Sequence, residues 1–384
     1  MRPDPYWLSP ERHLQRVQPD AAVMYFSPVA LQQAAHRFID GFPGRVTYAV
    51  KANPVEAVLV NLVAAGVTAF DVASPAEMAA VRAVCPDAVL HYNNPVRSRA
   101  EIEAAAGFGI ASASVDCPRE LDKLAPLGRD LEISVRLALP VKGAAYDFGE
   151  KFGVGPDRAA ELLRQVAERG YRPALTFHPG TQCHAPEAWE AYIRAAADVA
   201  RQAGVTIARL NVGGGFASHR AGAAPDLERV FHRIGAITAE VFDPMPQLIC
   251  EPGRAIAAEA FTLATRVKAI RHDGSVFLND GIYGALSEFR DMQGVDRVRC
   301  VSPGGRARTG DPVARIAFGP TCDSIDRLPD PVGLPGDLAE GDYVLFEGMG
   351  AYSLALATGF NGYGPGHPVT VASLFADGGG QPGS

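Results

Sequence analysis

Arg45-Val46-Thr47-Tyr48-Ala49-Val50-Lys51-Ala52-Asn53-Pro54 decides how this chain of 384 residues is read. Val46, Tyr48 and Val50 alternate with Thr47 and Ala49, and β-branched and aromatic residues dominate, which predicts a short buried strand. The strand ends on a lysine and then on Asn-Pro, a turn signal. A lysine at the mouth of a buried strand is expected to be partly desolvated, which disfavours the ammonium and makes the amine a better nucleophile. The plainer alternative is a lysine that caps the strand and reaches back to water.

Outward from this stretch, short apolar runs recur, each closed by a polar or glycine turn. With 46–50 they are 69–72, 89–92, 113–115, 133–137, 174–177, 209–212 and 248–250. Alanine- and leucine-rich segments with helical spacing lie between them, among them 75–84, 159–168 and 186–203. Eight strands alternating with helices predict an α/β fold, a (β/α)8 TIM-type barrel; an open doubly wound sheet is the competing arrangement. Beyond about residue 260 the helical spacing fades. Strand-like runs appear at 261–270, 276–278, 313–318, 343–347 and 369–374, separated by turn residues. They predict a second, mostly antiparallel β domain whose edge includes the run 22–26. The expected division is an N-terminal segment 1–27 joining the β domain, a barrel 28–260, a C-terminal β domain 261–376 and a disordered tail 377–384.

Composition narrows the class. A net charge of −7 without a basic block argues against nucleic acid as a partner. No run of about 18 apolar residues is present, so no membrane span is expected. The stretch from Met1 to Trp7 lacks an apolar signal core. The six cysteines form neither a C-x-x-C pair nor a zinc spacing, so reduced thiols, a cytoplasmic location and no metal are expected.

Barrel active sites sit at the C-terminal ends of the strands. In chain order those ends offer Lys51, Asp71, Asn93, Asp116, Arg136, His178, Gly213-Gly214-Gly215 and Glu251. Adjacent glycines leave backbone N–H groups free for a phosphate, although three glycines alone also suit a tight turn. Arg254, in Glu251-Pro252-Gly253-Arg254, could give that phosphate a fixed cation. Glu251 could face a nitrogen that must stay protonated, and His178 could stack on a flat ring. For each residue singly the alternative is a cap, a turn or a local ion pair. Together, a lysine, a phosphate cradle, an acid for a ring nitrogen and a stacking group describe a site for pyridoxal phosphate (PLP).

The motifs Tyr48-Ala49-Val50-Lys51, His178-x-Gly180-Thr181-Gln182, Gly213-Gly214-Gly215-Phe216 and Glu251-Pro252-Gly253-Arg254 resemble those of the fold-type III PLP-dependent decarboxylases of ornithine, diaminopimelate and arginine. So do Gly319-Pro320-Thr321-Cys322-Asp323-Ser324-Ile325-Asp326, Gly350-Ala351-Tyr352 and Phe360-Asn361-Gly362 in the second domain. The resemblance spans about residues 20–375, and Gly-Pro-Thr-Cys-Asp points to the ornithine decarboxylase branch.

The resemblance implies that Lys51 is the Schiff-base lysine, Glu251 the partner of the pyridinium and His178 the stacking ring. It implies that Gly213, Gly214, Gly215, Gly253, Arg254 and Tyr352 hold the phosphate with Thr181 close by. Asp71, Glu77, Asn93 and Arg136 would line or support the pocket. It further implies a head-to-tail homodimer with shared sites, in which Cys322 and Asp323 reach the partner's cofactor and Lys151 pairs with Asp326 across the dimer. Cys322 would return a proton to Cα, and Asp323 would bind a distal ammonium. Asp291 is a candidate second acid, one residue earlier than the family's spacing. Arg290 beside it could instead meet a carboxylate. Tyr283 and Phe360 complete the expected substrate contacts. The implied reaction is decarboxylation of a basic amino acid, L-ornithine to putrescine in polyamine biosynthesis. Alternatives are lysine, diaminopimelate or another amino acid, or a non-catalytic PLP-binding protein. Alanine racemase shares the barrel-plus-β plan, but it pairs the ring nitrogen with arginine, and Glu251 argues against it.

Overall fold

The computed structural model describes residues 6–140, 151–290, 292 and 296–376. Asp291 and the tail 377–384 lie outside the described residues. The chain forms two compact units. One comprises Ala35–Ala217 and Pro225–Gly253; the other comprises Ser218–Ala224 with the described parts of Met1–Ala34 and Arg254–Ser384. Residues 28–34 and 254–260 thus group with the second unit rather than with the barrel.

In the first unit, the stretch that opened the sequence reading closes the sheet. It forms two short pieces, Arg45–Val46 and Tyr48–Ala49. The first piece pairs with the last strand, Gln247–Cys250, and the second with the next strand, Ala69–Val72, both in parallel. Thr47 continues the seam by donating its N–H to the Cys250 carbonyl at 2.9 Å. Between these strands run Val89–Tyr92, Ser112–Val115, Glu132–Leu137, Arg172–Phe177 and Arg209–Asn211, each parallel to its neighbours. The described residues therefore form a closed barrel of eight strands, and the open sheet is excluded. The strands read as apolar runs because both of their faces are covered.

The surrounding helices begin where the sequence supplies caps. Ser74 accepts from the Glu77 N–H and Pro75 opens the helix Pro75–Val84; Ser98 and Glu101 form a capping box ahead of Arg99–Phe108. Phe216, directly after the three glycines, is buried among Phe38, Trp189 and Phe231, with ring centroids 5.0–5.8 Å away. Burial of one such ring is worth about 2–3 kcal/mol, enough to fix the glycine loop at its C-terminal end.

The second unit is mostly antiparallel, as its turn-rich sequence predicts. Its main sheet runs Val298–Val301, Tyr343–Glu347, Phe261–Ile270, Val23–Phe26, Val369–Thr370. The N-terminal run is therefore not an edge strand. Val23–Phe26 lies between Phe261–Ile270 and Val369–Thr370, and all four of its residues are buried. The run 313–318 divides into Pro312–Arg315, which pairs with Val332–Pro335, and Ala317–Phe318, which pairs with Val276–Leu278. Among the described residues no helix is long and apolar enough to cross a membrane.

Candidate active site

Register places the chemistry-bearing residues of the barrel at one end. Ala49, two residues before Lys51, pairs with Asp71. Lys51 itself lies in a 3-10 turn, Val50–Ala52, that takes the chain out of the barrel wall. Its side chain is 45% exposed, more open than its strand context suggested, and Nζ lies 3.6 Å from the buried Asp71 carboxylate. Gly253 packs under this turn: a Cβ there would come within 2.8 Å of the Ala52 Cβ, so only glycine allows the last strand's exit to pass the lysine turn.

Glu251 follows the last strand and is only 7% exposed. One of its oxygens accepts from the Asn93 amide at 2.5 Å and from the Asn211 amide. Asn211 is oriented in turn by the Gly213 N–H, which donates to its Oδ1 at 2.9 Å. Burial pushes the Glu251 carboxyl up to about 7, and the Asp71 charge adds to this; Lys51, Asn211 and Arg136 pull the other way. Arg136, at the end of its strand, stacks its guanidinium 5.3 Å from the Phe152 ring, and burial lowers its affinity for a proton.

His178 directly follows the sixth strand. Its Nδ1 accepts from the Gly180 N–H at 3.1 Å, which places any ring proton of the neutral imidazole on Nε2. Burial first, then the charges of Lys51 and Arg136, hold its pKa well below the usual range, so the ring is neutral at physiological pH. The loop carrying Thr181 is joined to the glycine loop by the Cys183 N–H, which donates to the Gly215 carbonyl at 2.8 Å. Gly215 has φ +81, and a Cβ there would overlap the Gly180 carbonyl. The glycines thus permit both the turn and the close approach of neighbouring backbones. Glu77 accepts from the Ala73 N–H at 2.7 Å, so its carboxylate holds the start of its own helix beside Asp71. Burial raises its pKa.

The second unit carries two further groups. Arg254 is buried, with its guanidinium 4.8 Å from the Tyr352 ring, and it forms an ion pair with Glu288. Tyr352 adopts a left-handed backbone, φ +64. In the other group, Tyr283 donates its hydroxyl to Asp323 at 2.5 Å and lies 5.1 Å from the Phe360 ring. That bond and the Ile325 N–H hold the Asp323 carboxyl below its ordinary pKa. Cys322, next to it, is exposed, and its N–H donates to Asn361.

Asp326 makes several bonds within its own unit. It is 2% exposed, and its carboxylate accepts from the Ile282 N–H, the Thr321 N–H and the Thr321 hydroxyl at 2.7–3.0 Å. Within the chain it ties the Gly319–Asp326 motif to the Asp280-Gly281-Ile282 turn.

Sequence reasoning missed Asn211, Glu288 and Arg220. An amide inside the apolar strand Arg209–Asn211 was the available signal for the first. The other two meet only through the fold.

These residues match the known chemistry of one cofactor. In the barrel, a buried carboxyl clasped by two amides, a neutral imidazole and a lysine beside a carboxylate fit PLP; in the second unit, the buried Arg254, whose Nε has no hydrogen-bond partner among the described residues, has the chemistry of a phosphate ligand. The sequence profile of the pyridoxal-dependent decarboxylases, pyridoxal binding domain, matches residues 29–258. The chain belongs to this family. It is similar to the ornithine decarboxylase of Neurospora crassa, 31% identical over 366 residues that cover 84% of this chain and 74% of that protein. It is also similar to the lysine/ornithine decarboxylase of Selenomonas ruminantium, 32% identical over 327 residues, 83% of this chain and 81% of that one. Among solved structures, the arginine decarboxylase of Paramecium bursaria Chlorella virus superposes with a TM-score of 0.83 at 26% identity, covering 93% of this chain and 97% of that one. This decarboxylase is therefore a PLP-dependent carboxy-lyase built as a barrel plus a β domain.

Proposed function

We propose that the enzyme decarboxylates a basic L-amino acid, with L-ornithine to putrescine and CO2 as the preferred reaction, serving polyamine synthesis in the cytoplasm. The observation that carries the substrate class is Asp323. It is a carboxylate kept ionised by Tyr283 and the Ile325 N–H, partly exposed, and adjacent to Cys322. Such a group suits a distal ammonium. Tyr283 and Phe360 supply aromatic walls for the methylene chain, and Asp291 is the candidate second acid. The relatives named above, ornithine and lysine/ornithine decarboxylases, support the same class.

Lys51 would hold the cofactor through its aldehyde, with the Asp71 carboxylate beside its amine. PLP, when bound, supplies an electron sink for the pair of electrons left on Cα by departing CO2. Glu251 holds the proton of the ring nitrogen. His178, being neutral, covers the ring without opposing that positive charge. Gly213, Gly214, Gly215, Gly253, Thr181, Arg254 and Tyr352 hold the phosphate, while Asp71 and Arg136 fix the charge around Lys51. Cys322 donates the proton to Cα. The enzyme acts as a homodimer in which Cys322 and Asp323 serve the partner's cofactor.

CO2 release from ornithine, lysine, arginine and diaminopimelate tests the substrate. The highest kcat/KM is expected for ornithine; a preference for diaminopimelate, which Arg290 would favour, overturns the assignment. Mixing Lys51→Ala with Cys322→Ala subunits tests the sharing. With exchange verified by mass-tagged subunits, roughly a quarter of wild-type activity is expected to return. Exchange without recovery contradicts shared sites.

A further inference from the structure

The second unit contains a buried charge cluster that the cofactor reading uses only in part. Glu288 lies between two arginines, and each takes a different oxygen. Arg254 pairs with Oε1, while Arg220 donates to Oε2 at 2.8 Å. Arg220 also donates to the Met292 carbonyl at 3.1 Å. Each guanidinium lies over an aromatic ring, Arg254 on Tyr352 and Arg220 on Phe289, at 4.8 and 5.1 Å. The three side chains are 8%, 7% and 12% exposed for Arg254, Glu288 and Arg220. The Nε donors of both arginines have no hydrogen-bond partner among the described residues.

The formal charges sum to +1. Arg254 and Glu288 alone would sum to zero, and a carboxylate bonded to Arg254 in a dry setting would cancel most of its attraction for another anion. Arg220 removes that cancellation by holding Glu288 from its other oxygen. Burial lowers the proton affinity of Arg220, Glu288 opposes this, and the Arg254 charge lowers it further, with Asp296 a weaker opposing charge.

We infer that Arg220 is a positioning residue for the cofactor phosphate: it neutralises Glu288 so that Arg254, fixed on Tyr352, keeps a net positive charge and an available Nε–H for the phosphate. Glu288 aligns Arg254, and Arg220 keeps that alignment from cancelling its charge. The inference rests on the reading that Arg254 meets the phosphate.

The test uses cofactor-free protein titrated separately with PLP and with pyridoxal, which lacks the phosphate, with the bound fraction measured by equilibrium dialysis. The ratio of the two affinities isolates the phosphate. Arg220→Met is expected to lower the PLP affinity roughly ten- to hundredfold and to leave pyridoxal unchanged, the size of one charge removed close to a dianion in a partly dry site. Arg220→Lys should recover most of the ratio. The double variant Arg220→Met/Glu288→Met should also recover it, because both compensating charges are gone. If Arg220→Met does not fold, Glu288→Gln alone should raise the ratio. Equal weakening of both ligands, no recovery in the double variant, or an unchanged ratio in Glu288→Gln overturns the inference. Arg254→Met separates the two levels. If it leaves the ratio unchanged, the phosphate reading of Arg254 fails; if it collapses the ratio while Arg220→Met does not, only the role of Arg220 fails.

Discussion

The barrel buries a carboxyl at each end, and the two are treated differently. At the C-terminal end of the strands, Glu251 is clasped by the amides of Asn93 and Asn211. At the opposite end, Glu132 opens the fifth strand and is 1% exposed, yet neither of its oxygens has a hydrogen bond among the described residues. It pairs with two arginines that open the next two strands, Arg209 at 3.3 Å and Arg172 at 3.8 Å. His91 nearby bonds Ser112 through Nδ1 at 2.7 Å and is held neutral, pushed down to about 3 by burial and by the Arg209 and Arg45 charges. Burial raises both acids. The lower acid faces cations that compensate it, whereas the upper one also faces Asp71 and is oriented by neutral donors. Compensation stabilises a fold; orientation with incomplete compensation leaves a proton to be shared with a ligand.

Substitution at each end should break different properties. Glu251→Gln is expected to lower kcat by roughly two to three orders of magnitude, as when one preorganised electrostatic partner is lost, while PLP still binds. Steady-state kinetics on holoenzyme checks this, and an unchanged kcat would remove Glu251 from the chemistry. Glu132→Ala should do the reverse. It leaves the largely buried Arg209 without its carboxylate and should cost about 3 kcal/mol of stability, with kcat unchanged for the folded fraction. Urea unfolding with parallel kinetics measures both; a loss of kcat without a loss of stability would erase the distinction between the two ends.

A smaller effect sharpens the comparison through pH. In cofactor-free protein, the folded pKa of Glu251, about 7, lies above its ordinary value of 4.5. The protonated carboxyl therefore stabilises the fold fully below about pH 4.5, and that contribution is lost as pH rises through about 7. Glu251→Gln avoids the loss, so above pH 7 the cofactor-free variant should be more stable than wild type by on the order of 2–3 kcal/mol, and the gap should close toward pH 4.5. Thermal melts across this range should show the gap opening as pH rises; a constant difference would mean that Glu251 does not titrate there.

The barrel was legible because buried parallel strands leave continuous apolar runs, and because the residue after each run is where the chain turns. Lys51, Asp71, His178 and Glu251 could be placed on that basis alone. The second unit was less legible. Val298–Val301 carries Arg299 in mid-strand, where it bonds Glu11 and Glu347, and Val332–Pro335 contains glycine and proline, so neither shows the usual strand pattern. Val23–Phe26 was recognised, but its position inside the sheet depends on partners more than 200 residues away. Contacts of that kind also explain why the bonds of Asp326 to Ile282 and Thr321 were not legible, and the oversight of Glu288 and Arg220.

The central claim is that the first strand delivers the cofactor-binding amine. Borohydride reduction of the holoenzyme followed by peptide mapping tests it most directly. The account predicts a pyridoxyl label on Lys51 alone and none in Lys51→Ala; a label on Lys142, Lys151 or any other lysine in the wild-type enzyme would contradict it.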